Sequence, residues 1–243
     1  MTAEPTIGRT FGRVAAEYER ARPDYPREAI ARGAAELGLG PDASVLDLAA
    51  GTGKLTRLLR ERFAHVVAVE PDDEMRAFVP GDARAGSAES VPAAAGAFDA
   101  VFVADAFHWF DADAALRELT RVAVPGGGLA LLWNTWWDGQ EPPLPPAARA
   151  LLDDVFTRLS VARRSNQAWQ EDVERVTGPL GRAELVTRVP YDRGRMADLL
   201  LTTSSPAALD GDARAELRRR LHATLGDGYI LTVQTQLYWG RLP

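Results

Sequence analysis

Four short apolar runs, each closed by a turn signal and followed by helical sequence, constrain this chain more than any other feature. They are SVLDL (Ser44 to Leu48), HVVAVE (His65 to Glu70), FDAVFVA (Phe98 to Ala104) and GLALLWN (Gly128 to Asn134). Continuous rather than alternating apolarity suits strands buried on both faces of a parallel sheet. Leu55, Leu58, Leu59 and Phe63 share a helical face after the first run. Leu116, Leu119 and Val122 do so before the fourth, with Asp111 placed as N-cap. Strand and helix in alternation imply right-handed crossovers and a doubly wound, Rossmann-like α/β sheet.

The flanks read differently. Pro26 suits a helix start, Ile30, Ala34 and Leu37 recur on one face, and Gly38 and Gly40 end that helix. After PPLPP (Pro142 to Pro146), Leu151, Leu152, Val155, Phe156 and Leu159 mark another helix. AELVTRVPY (Ala183 to Tyr191) reads as a strand, and Leu217, Leu221 and Leu225 as a helix. YILTVQTQLYW (Tyr229 to Trp239) alternates like a half-buried antiparallel strand. No linker splits the chain, so residues 1–243 are expected to form one domain. Residues 1–40 would supply N-terminal helices, 41–135 the core, and 136–243 a small helical cap and closing strands.

Composition narrows the partners. Apolar residues make up 46% and charged residues 26%, the balance of a globular chain. A net charge of −6 without a basic block argues against nucleic acid. There is no cysteine, which removes disulfides, thiolate metal sites and cysteine nucleophiles. Three scattered histidines, His65, His108 and His222, make a metal site an unsuitable reading. The N-terminal stretch has no apolar run and nothing approaches a membrane span, so a cytoplasmic protein is expected.

The segment VLDLAAGTGKLT (Val45 to Thr56) ends a strand, turns through glycines and opens a helix near Lys54. Gly51 and Gly53 permit positive φ and close approach of a ligand to the backbone. In such sheets ligands bind beyond the carboxyl ends of the strands, where the strand order reverses. Phosphate readings fail on residues. The third glycine of a G-x-G-x-x-G fingerprint is Thr56, and Gly53-Lys54 is followed by Leu55 rather than the Ser or Thr of a Walker loop. Glu70, closing the second run, can accept both hydroxyls of a ribose. Asp47 can support a positive charge. A phosphate-free, cationic nucleoside such as S-adenosylmethionine fits that set; the bland alternative is a plain turn and a solvated strand end.

VLDLAAGTGKLT, VVAVEPDDEMR and GSAESVPAAAGAFDAVFVADAFHWFD resemble successive motifs of class I S-adenosylmethionine-dependent methyltransferases of the type 11 subgroup, including enzymes similar to trans-aconitate methyltransferases. FGRVAAEYERARPDYP is similar to the same subgroup. The resemblance implies a mostly parallel seven-stranded sheet with an antiparallel C-terminal strand. It implies Asp47, Ala49, Gly51 and Gly53 around the methionine part of the cofactor and Glu70 on the ribose. Pro71 and Met75 would lie beside the adenine, with Ser87, Ala88 and Glu89 near its amine. Asp105, Ala106 and Phe107 would stand near the sulfonium, and Tyr18 and Arg22 would close over the cofactor. Two departures stand out: Ala49 replaces the first glycine of the usual loop, and Asp105 replaces an uncharged polar residue.

Methyl transfer is an in-line displacement that mainly requires alignment and exclusion of water. A base is needed only for an acceptor that must lose a proton. His108 is the candidate base, or alternatively a wall of the cofactor pocket. Trp109, Trp136 and Trp137 are candidates for an acceptor wall, and Trp133 shares their stretch; core packing is the competing role. The expected function is methylation of a small molecule, at oxygen, by a monomer or homodimer without nucleic-acid, membrane or metal partners. Two rivals are a nicotinamide-dependent oxidoreductase and a cofactor-binding or biosynthetic protein of the same fold that methylates nothing. A nucleic-acid methyltransferase would carry N-P-P-[YF] where DAFHWF stands.

Overall fold

The computed structural model describes residues 12–136, 144–159 and 168–243. Its strands are β1 (Ser44–Leu48), β2 (His65–Val69), β3 (Ala83–Arg84), β4 (Phe98–Ala104), β5 (Ala123–Thr135), β6 (Gly181–Asp192) and β7 (Gly228–Arg241). They form one sheet in the order β3-β2-β1-β4-β5-β7-β6. β1 pairs in parallel with β2 and β4, β2 with β3, and β4 with β5. β7 runs against β5. Leu242 donates its N–H to the Gly127 carbonyl at one end, while the Thr235 hydroxyl donates to the Asn134 amide oxygen at the other. The helices are α1 (Ala15–Ala21), α2 (Arg27–Glu36), α3 (Lys54–Arg62), α4 (Asp73–Arg76), α5 (Ala112–Val122), α6 (Pro146–Arg158), α7 (Ala168–Thr177), α8 (Arg193–Leu201), α9 (Ser204–Ala207) and α10 (Gly211–Thr224).

The chain divides into two compact units. The larger comprises Asp24–Asn134, Arg164–Leu185 and Gln234–Pro243. Strand residues alternate between its two cores. Leu46, Leu48, Val101, Val103, Leu129, Leu131 and Trp133 pack with Leu116 and Leu119 of α5 and Val173 of α7. Val45, Ala100, Phe102, Ala130 and Leu132 pack with Ile30 and Ala34 of α2 and Leu55 and Leu59 of α3. Burial of each of these leucines contributes roughly 2–3 kcal/mol, so two filled faces hold the central strands rigidly. The smaller unit comprises Met1–Pro23, Thr135–Arg163 and Val186–Val233. There α6, α8 and α10 bury Leu152, Met196, Leu199 and Leu221 together with Leu231 and Val233. α1 is tied down by Tyr191, whose hydroxyl donates to the Ala21 carbonyl at 2.5 Å, and by Arg218 on Glu17 at 3.1 Å.

The four apolar runs are β1, β2, β4 and β5, with changes of boundary in β2 and β5. β2 stops at Val69, because Glu70 has left the ladder with its carboxylate turned into the site described below. β5 begins at Ala123, five positions before the expected Gly128. The pairing shifts register between Phe98/Ala123 and Ala100/Gly128, an irregularity that absorbs Val124 to Gly127. Glycines that read as a turn are here inside a strand.

Candidate active site

The strand order reverses between β1 and β4, where the chain, having built β2 and β3 on one side, begins the other. The loops that leave these two strands therefore flank a crevice of the kind that binds ligands in open α/β sheets. From β1 the loop Ala49–Gly53 leads into α3. Ala49 has φ 56°, Gly51 58° and Gly53 82°, all left-handed. For the glycines this conformation costs no steric strain; for Ala49 it costs about 1–2 kcal/mol. The usual glycine at the Ala49 position thus has a conformational reason, and alanine here holds the same turn under strain. At Gly53 a Cβ would also stand 3.0 Å from both Val79 Cα and Pro80 Cδ. A larger residue would have to push these neighbours aside by a few tenths of an ångström.

Two carboxylates sit under and beside this loop. Asp47, 1% exposed, lies beneath it and accepts the Thr56 hydroxyl at 2.5 Å. Loss of hydration lifts its pKa to about 7; the Glu70 charge adds to the rise and the Thr56 hydrogen bond opposes it. Asp47 is thus a charge below the loop rather than part of its surface. Glu70, 6% exposed, is no solvated strand end. One carboxylate oxygen accepts the Gly51 N–H and the other the Asp72 N–H, each at 2.9 Å. Burial raises its pKa, while these two backbone donors and the Arg76 charge pull it down. A carboxylate has about four lone-pair sites, so two neutral donors leave each oxygen able to accept a hydroxyl hydrogen. The Asp72 carboxylate in turn caps α4 through the Glu74 and Met75 N–H groups, both at 3.0 Å. Met75 is buried and its methyl would stand 3.6 Å from a Cβ on Gly51. Pro71 beside it is exposed.

The loop leaving β4 opens on another left-handed residue, Asp105, at φ 50°. Its carboxylate accepts the Tyr25 hydroxyl at 2.6 Å and the Asn134 N–H at 3.1 Å, and its own N–H donates to Leu132. Its departure from an uncharged residue is thereby accounted for structurally: it ties the segment before α2 to the end of β5. Asn134 extends the tie, donating to the Asp24 carbonyl at 3.3 Å and accepting from Thr235 at 2.6 Å. Ala106 precedes a 3-10 turn, Phe107–Trp109. The Phe107 side chain is packed in the core against Phe110 and Trp169, turned away from any ligand. His108 is half-buried, its ring 4.6 Å from that of Trp109.

Ser87 and Ser90 exchange backbone hydrogen bonds, forming a short turn in which Ala88 is buried and Glu89 exposed. Glu89 accepts the Asp111 N–H at 3.1 Å. Trp133 belongs to the core, stacked on Trp169 with centroids 4.1 Å apart. Tyr18, Arg22 and Trp136 gather in the smaller unit: the Arg22 guanidinium lies 4.9 Å from the Tyr18 ring and 4.6 Å from that of Trp136. Arg22 also donates to the Thr202 hydroxyl and carbonyl, at 3.0 and 2.7 Å. Trp137 lies outside the described residues. Nothing in the sequence marks Tyr25, Asn134 or Thr56 as part of this arrangement. Tyr25 lies in the quoted pattern RPDYP, but nothing in one sequence pairs it with Asp105. Among the described residues no three His, Asp or Glu side chains cluster as a metal site would need.

Residues 46–131 match the family described as the methyltransferase domain. The match covers 86 of the 243 residues, from β1 into β5. An uncharacterized methyltransferase of Mycobacterium tuberculosis is 49% identical over 133 residues, 52% of this chain and 52% of that protein. A demethylmenaquinone methyltransferase of Mycolicibacterium paratuberculosis is 42% identical over 151 residues, 56% of this chain and 64% of its own length. Against the first relatives it matches, the chain spans about half their length. In three dimensions it is similar to a candidate type II methyltransferase from Anaeromyxobacter dehalogenans. The TM-score is 0.64 at 23% identity, over 91% of this chain and 99% of that one, a likeness of fold. No described helix is long and apolar enough to cross a membrane.

Proposed function

We propose that the chain transfers the methyl group of S-adenosylmethionine to a small-molecule acceptor, at oxygen. The observation that carries this reading is Glu70: a buried carboxylate, oriented by two backbone N–H groups, with acceptor capacity left for two ribose hydroxyls. It stands beside a left-handed loop without phosphate machinery. Asp47 beneath that loop favours a cationic ligand over a phosphate. The cofactor would supply a carbon already activated by its sulfonium. Gly51 and Gly53 would let its methionine part lie against backbone beside Ala49, while Pro71 and Met75 would flank the adenine and the Ser87–Glu89 turn its amine. Backbone of Asp105, Ala106 and Phe107 would line the reacting end. A hydroxyl acceptor must shed a proton, and His108 next to this end would accept it. The oxygen assignment rests on that imidazole. Trp109 would wall the acceptor.

Isothermal titration with S-adenosylmethionine and S-adenosylhomocysteine tests the cofactor. Glu70→Ala should weaken binding by at least about thirtyfold, the loss of two charge-assisted hydrogen bonds. Glu70→Gln keeps one acceptor and should lose less. Absence of heat from folded wild-type protein overturns the reading. With labelled methyl and a panel of hydroxylated acceptors, His108→Gln should bind cofactor normally yet lose most turnover; retained turnover removes the base.

A further inference from the structure

The two edges of the sheet differ. One is β3, of two residues; the other is β6, of twelve. A long edge strand offers a row of backbone donors and acceptors, and natural proteins shorten, cover or pair such edges. On β6 the residues alternate between half-buried and exposed, and Arg182, Glu184, Val186, Arg188 and Pro190 form the exposed row. Val186 is 57% exposed, as is Ile230 on β7, two of the three exposed large apolar residues among those described. Among the described residues, Arg182, Glu184 and Arg188 make no ion pair within the chain.

We infer that β6 pairs antiparallel with β6 of a second copy of this chain, about a two-fold axis at Val186. Val186 sits at the middle of the strand, so this register overlaps almost its whole length. It places Val186 against the partner's Val186, and Glu184 against the partner's Arg188 on both sides of the axis. Opposite charges directly across an antiparallel pair stabilise it, and like charges oppose it. Shifting the axis by one residue toward the N-terminus sets Arg182 against the partner's Arg188. One residue toward the C-terminus, Glu184 meets the partner's Pro190. Among the registers that overlap most of the strand, the row of charges that would repel an unrelated strand therefore matches itself in this one, the combination of attraction and exclusion expected of a specific contact.

Sedimentation velocity tests the pairing on the whole chain, from about 1 to about 100 μM. Wild type should shift from monomer to dimer across that range. Glu184→Arg and Arg188→Glu each convert two attractive pairs into two like-charge pairs, and each should weaken the dimer at least about tenfold. The double variant E184R/R188E restores both pairs and should restore the dimer. All three are exposed substitutions, and circular dichroism checks that the fold persists. A monomeric wild type at the highest concentration, or a dimer that ignores the single variants or is not restored by the double one, overturns the inference.

Discussion

Cofactor binding should be coupled to a proton on Asp47. In the protein alone, burial holds this carboxyl near pKa 7, so near pH 6 it is mostly neutral. A ligand bearing a sulfonium and an ammonium above the loop favours the ionised form. If it binds that form alone, the apparent dissociation constant rises as (1 + 10^(pKa − pH)): about elevenfold at pH 6 and about 1.1-fold at pH 8. Affinity should thus fall about tenfold from pH 8 to pH 6, and binding at pH 6 should release close to one proton. Titration calorimetry at pH 6, 7 and 8, in two buffers of different ionisation heat, measures both quantities. Asp47→Asn keeps an acceptor for the Thr56 hydroxyl and cannot ionise, so it should flatten the dependence. The ligand's amine also titrates near pH 8, but it does so equally for both proteins, and their ratio isolates Asp47. Equal affinity at pH 6 and 8, or the same slope in the variant, would refute the coupling.

Stability should follow the same group with the opposite sign. The folded pKa lies above the ordinary 3.8, so the native state holds the extra proton and wild type loses stability as pH climbs from about 4 to 7. Asp47→Asn should raise Tm at pH 8 and gain less at pH 5, as thermal melts would show. Ala49→Gly should stabilise by about 0.5–1 kcal/mol, since relief of the left-handed strain exceeds the added chain entropy. Gly53→Ala should destabilise by more than about 2 kcal/mol, because positive φ and the Val79–Pro80 contact both oppose it; urea unfolding measures both variants. Asp105→Gly loses the Tyr25 and Asn134 hydrogen bonds but adopts the backbone angle without strain, whereas Asp105→Ala loses the same bonds and keeps the strain; the difference between them should be about 1 kcal/mol.

Much of the larger unit was legible because its signals are local. The ends of β1 and β4 coincide with the apolar runs, as continuous hydrophobicity bounded by turns records burial on both faces. Asp111 caps α5 as its position before the helix suggested, accepting the Ala114 N–H. β3 escaped notice because two residues carry no period. α8 escaped because Met196 to Leu201 is apolar nearly all round, the mark of a buried helix rather than an amphipathic one, and α9 because four residues carry no period. Around the candidate site, the turn at Gly51 and Gly53 could be read from the sequence, since both take positive φ. The burial of Asp47 under its loop could not, since a strand-end aspartate looks the same whether its side chain meets ligand or core. Trp133 shows the converse: an aromatic at the ligand end of a strand, turned by the two-residue period into the core beside Trp169.

Ala49 and Asp105 are the first residues beyond adjacent parallel strands, and they are the two non-glycine residues of the described chain with positive φ. That coincidence has a physical reading. A left-handed residue at a strand's end turns the chain sharply out of the sheet, so that the following backbone edges the crevice instead of running over it. Glycine would do this without strain, and the two sites meet the cost in different ways. At Asp105 the carboxylate recovers it through the Tyr25 hydroxyl and the Asn134 N–H, each worth about 1–3 kcal/mol when the acceptor is charged. Only a short acceptor side chain combines tolerance of that φ with those bonds, so aspartate there serves the fold even where a sequence comparison would take it for chemistry. Ala49 has no polar group with which to recover anything, so its strain is borne by the packed strands on either side. Strain held at the strand reversal, between two rigid cores, marks where the fold is shaped for something other than its own stability.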